Sequence, residues 1–153
     1  MQPSLKSILK GKVVIVGIGN TLRGDDGVGP VLIERLEAKV KARCIDAGTT
    51  PENFSGKILK EKPDTILMVD ALHLGLAPGE YQVLEKDEIL KAGLTTHDIS
   101  PRMFIDYLKS QSSADIYMLG IQPKKLSLGE GLSSPVEKAL DKIADLIKGI
   151  ENA

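Results

Sequence analysis

Two adjacent carboxylates, Asp25 and Asp26, close a short glycine-bearing stretch that begins at Gly17 and Gly19. A third carboxylate, Asp70, directly follows the largely apolar run Thr65-Ile66-Leu67-Met68-Val69, and one of the two histidines, His97, stands in the polar stretch Thr95-Thr96-His97-Asp98. Two carboxylates and one imidazole drawn from three loops make a donor set that leaves coordination positions open for water or a substrate. Such nitrogen and oxygen ligation suits nickel, zinc or iron and does not choose among them. Asp26, Asp70 and His97 are therefore candidate metal ligands. A plain helix N-terminal charge, worth under about 1 kcal/mol when exposed, explains one aspartate of the adjacent pair but neither Asp70 nor His97. His73 reads as a surface or hinge histidine. Cys44, in Arg43-Cys44-Ile45, reads as a buried strand residue, since it stands neither at a helix start nor beside a histidine. No Gly-x-Ser-x-Gly elbow is present, so serine or cysteine hydrolase chemistry finds no support.

The elements that must position these groups can be read from apolar patterning. Val13-Val14-Ile15-Val16 is a continuous β-branched run, which suits a strand covered on both faces. It breaks into Gly17, Gly19 and Asn20, and a helix follows from Gly29-Pro30 with Val31, Leu32, Ile33, Leu36 and Val40 as its apolar stripe. Arg43–Ile45 reads as a second strand ending in the small-residue turn Asp46-Ala47-Gly48-Thr49-Thr50. A helix from Thr50-Pro51 to Leu59 and a third strand, Thr65–Val69, come next, with Asp70 at the strand's carboxyl end. Tyr81–Leu84 reads as an antiparallel edge strand and 85–93 as a brief helix. Ser100-Pro101 opens a helix with Met103, Phe104, Tyr107 and Leu108 on its apolar face. Asp115–Leu119 is the last strand. Ser134-Pro135-Val136-Glu137 has the form of a capping box before a final helix that lays Val136, Leu140, Ile143, Ile147 and Ile150 inward.

This alternation predicts an α/β three-layer sandwich: a twisted, mostly parallel sheet of about five strands, one antiparallel edge strand, and helices on both faces. Ligands of such sheets bind beyond the carboxyl ends of the strands, the rim that Asp26, Asp46 and Asp70 would share. The 153 residues are expected to form one domain, 1–153. Acidic and basic residues number 21 and 20, so no field gathers nucleic acid or anionic lipid, and the absence of tryptophan removes one stacking platform for single strands. A single cysteine excludes an internal disulfide framework. With no apolar run of membrane-spanning length and no secretory core in the opening residues, a cytoplasmic protein is expected.

A dinucleotide-binding module is the main competing reading, because Gly17-x-Gly19 follows a strand and Asp46 could reach a ribose hydroxyl. It fails where Leu22 takes the third glycine position and where two carboxylates would face a diphosphate. A non-catalytic metal-binding module on the same scaffold is the other alternative.

Gly17–Pro30, the Asp46-Ala47-Gly48-Thr49 turn, VDALHLGLAPGE around Asp70, TTHDISPRMFIDYL around His97 and LGIQP at 119–123 together resemble the nickel–iron hydrogenase maturation endopeptidases. The likeness is nearest to the type that processes the large subunit of the formate-hydrogenlyase hydrogenase, and it runs from Val13 to the final helix. It implies an endopeptidase that removes a C-terminal extension from a hydrogenase large-subunit precursor once nickel has been inserted. By motif position it implies that Asp26, Asp70 and His97 engage nickel and carry the catalysis, and that Asp46, Gly48 and Thr49 help to recognise the precursor. It further implies that the nickel arrives with the precursor, with zinc or cadmium able to take its place in crystals, and that the protein is a monomer. Asp25 and Asp98 are candidates to orient the attacking water, each equally readable as a local cap.

Overall fold

The N-terminal segment contributes a short helix, α1 (Leu5–Ile8), which the patterning had not suggested. Ser4 caps it reciprocally with Ser7, and Leu5, Ile8 and Leu9 bury their side chains. Strand β1 (Val13–Ile18) is buried at every position. Successive side chains of a strand point to opposite faces, so Val13 and Ile15 join one apolar layer while Val14, Val16 and Ile18 join the other. That double coverage is why the run shows no polar alternation. The computed structural model describes residues 3–94 and 101–153.

After β1 come a 3-10 turn, Gly24–Gly27, and α2 (Val28–Leu36). Then follow β2 (Arg43–Gly48), a second 3-10 turn at Pro51–Phe54, α3 (Ser55–Lys60), β3 (Thr65–His73), β4 (Tyr81–Leu84), α4 (Lys86–Lys91) and β5 (Gly93–Leu94). The chain ends with α5 (Pro101–Gln111), β6 (Asp115–Ile121) and α6 (Ser134–Glu151). The main sheet runs β2-β1-β3-β6-β4. Its strands are parallel except β4, which pairs antiparallel with β6, while β5 adds a short antiparallel pairing to the far end of β3. The expected three-layer α/β architecture with an antiparallel edge is thus what the chain forms. One layer packs α1, α2 and α6 against the sheet through Leu32, Leu36, Leu140 and Ile147; the other packs α3, α4 and α5 through Ile58, Ile89, Ile105 and Leu108. None of the helices formed by the described residues is long and apolar enough to cross a membrane.

Five local expectations change. First, β3 continues past Val69 to His73, so Asp70 lies within the strand and pairs with Gly120 of β6. The register with β1 stops at Val69, one position before Asp70. Second, β2 reaches Gly48 and takes Asp46 into the strand. Third, α5 buries Phe104, Ile105 and Leu108, leaving Met103 and Tyr107 more than half exposed. At 100° per residue the pair four apart lies on a neighbouring stripe, displaced from the face that Ile105 sets. Fourth, Ser133 is the N-cap of α6, with Pro135 in its first turn, and the Ser133 hydroxyl makes no cap bond. Helix α2 also ends at Leu36, so Val40 reaches the core from the following loop.

Candidate active site at the carboxyl rim of the sheet

β1 connects outward to β2, whereas β3 is followed by strands on its other side. The crevice between the carboxyl ends of β1 and β3 is therefore the switch point of strand order, where open α/β sheets bind ligands. Asp26 stands in the turn after β1, and Asp70 at the end of the β1–β3 pairing. Both are almost fully buried, at 1% and 0% relative exposure, which for carboxylates demands hydrogen-bonding or charge compensation. The backbone N–H of Asn20 donates to Asp26 Oδ2 at 2.8 Å, and that of Ala71 donates to Asp70 Oδ1 at 2.8 Å.

Gly19 explains how the two come together. Its φ of +140° is unfavourable for a side chain, and a Cβ there would strike the Asp26 carbonyl oxygen and stand 3.7 Å from Asp70 Oδ1. The Asp26 backbone and the Asp70 carboxylate thus share the space beside Gly19. The close approach of helix to strand, which a dinucleotide fold obtains from its third glycine, comes here from Gly29. A Cβ on Gly29 would meet Ile18 N and O at 2.4 Å and Val69 O at 2.6 Å. Carboxylates, not a phosphate-sized gap, fill the turn below that helix.

The two aspartates of the pair do different work. Asp25 Oδ2 accepts from the backbone N–H groups of Lys124 (2.8 Å) and Lys125 (3.0 Å) and from the Ser133 hydroxyl (2.7 Å). Its Oδ1 accepts from Ser133 N–H at 2.7 Å. With both oxygens committed to donors more than ninety positions later in the chain, Asp25 is an anchor and not a free base. Asp98, the other candidate for orienting water, lies outside the described residues, as does His97. Among the described residues no three His, Cys, Asp or Glu side chains gather in a way that could hold a metal. Asp26 and Asp70 are both buried at this rim, each accepting from its own backbone donor.

Beside them, at the ends of β1 and β2, a cleft of about 290 Å³ is lined by Gly19, Asn20, Thr21, Pro30, Asp46, Gly48 and Thr49. Asp46 Oδ1 accepts from Gly48 N–H at 3.0 Å, and Gly48 O accepts from Gly19 N–H at 2.8 Å, joining the β2 turn to the Gly19 loop. His73 is exposed at the end of β3, as its sequence setting suggested. Cys44 is buried, and burial pushes its thiol pKa up to about 11, with the Glu37 carboxylate adding to the shift. Two contributors escaped the sequence reading. Asn20 acts through its backbone, which no side-chain pattern reveals. Ser133 carries the marks of an N-cap and is used otherwise.

The model of the hydrogenase maturation protease family HycI matches residues 30–150. The chain is 34% identical over 141 residues to the hydrogenase 3 maturation protease of Escherichia coli K12, covering 90% of each. Its structure superimposes on the crystal structure of a NiFe hydrogenase maturation protease, HycI, from Thermococcus kodakarensis KOD1 with a TM-score of 0.88, 34% identity, and coverage of 97% of this chain and 99% of that one. The solution structure of an endopeptidase HycI from Escherichia coli matches with a TM-score of 0.80 and 32% identity over 91% of this chain and 90% of that one. The doubly wound α/β domain, with two buried aspartates at its switch point, is thus the scaffold of a peptidase family. The chain belongs to the HycI family of hydrogenase maturation proteases and is an endopeptidase of hydrogenase maturation.

Proposed function

We propose that this endopeptidase removes the C-terminal extension of a nickel–iron hydrogenase large-subunit precursor after nickel insertion, and that it engages the precursor's nickel through Asp26, Asp70 and His97. The observation that carries the reading is the burial of two aspartates at the β1–β3 crevice, with the Asp26 backbone and the Asp70 carboxylate both against Gly19. Their oxygens, with an imidazole, are a donor set suited to a borderline divalent ion. Support for His97 as the third donor comes from the flanking chain. Leu94 pairs with Leu72, two positions beyond Asp70 on β3. By strand alternation Asp70 shares the face of Ile66, Met68 and Leu72, the layer against which α5 packs just after His97.

In this reading the metal comes as part of the substrate and reports that the precursor is ready. When bound, it supplies Lewis-acid polarisation at the scissile carbonyl. The chain's own residues do the positioning. Asn20 and Ala71 N–H groups hold one oxygen each of Asp26 and Asp70, and the cleft bearing Asp46, Gly48 and Thr49 receives the precursor segment beside them. No nucleophilic side chain enters, so cleavage draws on proximity and orientation without an acyl-enzyme. The protein works as a cytoplasmic monomer, with neither nucleic acid nor membrane as partner.

The test is to incubate the protein with nickel-loaded and nickel-free precursor and to follow the C-terminal fragment by mass spectrometry. The fragment is expected only from the nickel-loaded form. Asp26→Asn, Asp70→Asn and His97→Gln are each expected to abolish it while keeping the circular dichroism melt of the parent. Near-normal processing by all three variants would refute the assignment.

A further inference from the structure

The segment between β6 and α6 is tied to the Asp26 turn by a set of hydrogen bonds. Besides the four bonds to the Asp25 carboxylate, Asp25 N–H donates to Lys125 O at 2.8 Å and Gly24 N–H to Gly129 O at 2.8 Å, while Gly129 N–H donates to Leu22 O at 2.8 Å. These bonds hold the Leu22–Asp25 part of the turn, and the Asn20 N–H holds Asp26 itself. Apart from this tether the 124–131 strap is exposed along most of its length, so the Asp25 carboxylate is its principal buried anchor. Ser133 is the N-cap residue of the 18-residue helix α6, yet its oxygen accepts no cap bond, and its hydroxyl donates to the carboxylate next to Asp26.

We infer that Asp25 is a positioning residue for the cleavage reaction: by clamping the 124–133 strap and the α6 N-terminus onto the Gly24–Gly27 turn, it fixes where Asp26 presents its carboxylate. This rests on the assignment of Asp26 to the nickel-engaging set. Asparagine cannot substitute. With its oxygen at the Oδ2 position, its NH2 group faces the Ser133 N–H, and in the flipped orientation the NH2 faces the Lys124 and Lys125 N–H groups. The strap then loosens, and Asp26 loses its register at a site where a displacement of about 1 Å can cost about 100-fold in rate.

The experiment measures kcat and KM for cleavage of nickel-loaded precursor by the full chain and by Asp25→Asn, Ser133→Ala and Asp26→Asn, together with amide hydrogen exchange at Lys124, Lys125 and Ser133. Asp25→Asn is expected to lower kcat about 10–100-fold per folded molecule, with KM within about twofold and exchange at the three amides at least about tenfold faster. Ser133→Ala leaves the charge and all three backbone donors in place and removes a hydroxyl that caps nothing, so it folds; it should shift kcat in the same direction by about 2–5-fold. A merely structural role would lower the melting temperature and leave kcat per folded molecule unchanged. Asp26→Asn inactive, with Asp25→Asn and Ser133→Ala both at parental kcat, overturns the positioning role alone. Should Asp25→Asn fail to fold, Ser133→Ala decides, and an unchanged kcat overturns the inference. Normal cleavage by Asp26→Asn would overturn the site assignment and this inference with it.

Discussion

At the scale of single residues, two neighbours of one chemical type end in opposite roles because of what surrounds each. Asp25 saturates its oxygens with donors from late in the chain, whereas Asp26 accepts from the Asn20 N–H of its own loop at the β1–β3 crevice. The same logic disposes of Cys44. Its thiol is held neutral through the physiological range, because burial disfavours the thiolate and Glu37 repels it. Alkylation by iodoacetamide is therefore expected to be slow at pH 8, where a free thiol with a pKa of about 8.5 reacts readily, and to rise with a midpoint near pH 11. A stopped-flow or mass-spectrometric rate profile checks this. The sign for stability follows. An acid whose pKa is raised from 9.0 to about 11 on folding favours the native state below pH 9, and that contribution is lost as the pH climbs toward 11.

At the scale of elements, much was readable because the signals were local. The β1 run, the Asp46 segment and the antiparallel edge at Tyr81–Leu84 follow from apolar runs and turn residues, and they put Asp26 and Asp70 at one rim without any coordinates. What escaped depends on contacts distant in sequence. Asp70 falls inside β3 because β6 continues to pair with it after β1 has ended, and a carboxylate there reads in sequence as a strand terminus. Helix α5 carries Met103 and Tyr107 outward because the sheet face beneath selects Phe104, Ile105 and Leu108; a helical pattern with apolar residues on both stripes leaves that choice open. The consequence is measurable by urea unfolding. Tyr107→Ser is expected to change stability by less than about 0.5 kcal/mol, whereas Phe104→Ala should cost about 3–5 kcal/mol.

At the scale of the whole molecule, one sheet divides two apolar layers that share few side chains. Ile143 of α6 lies in one and Ile105 of α5 in the other, both essentially inaccessible. Ile143→Val and Ile105→Val should each lower the unfolding free energy by about 0.5–1.5 kcal/mol. Combined, the losses are expected to add within about 0.5 kcal/mol, since substitutions on opposite faces have no common neighbour. An excess well above that would show strain passing through the sheet. Within one of these layers, Arg35 of α2 pairs with Glu137 and Asp141 of α6, a surface contact that adds little beyond orientation.

The bonds between Asp25 and Ser133 join positions 108 apart. During synthesis, Asp25 therefore waits for nearly the entire polypeptide to emerge before its partners exist, and the loop that must then be closed is among the longest the chain offers. A product ending ahead of Ser133 would lack two of the bonds to Asp25 and, with α6, much of one apolar layer. The turn after β1 thus gains its full set of hydrogen bonds only late in chain growth.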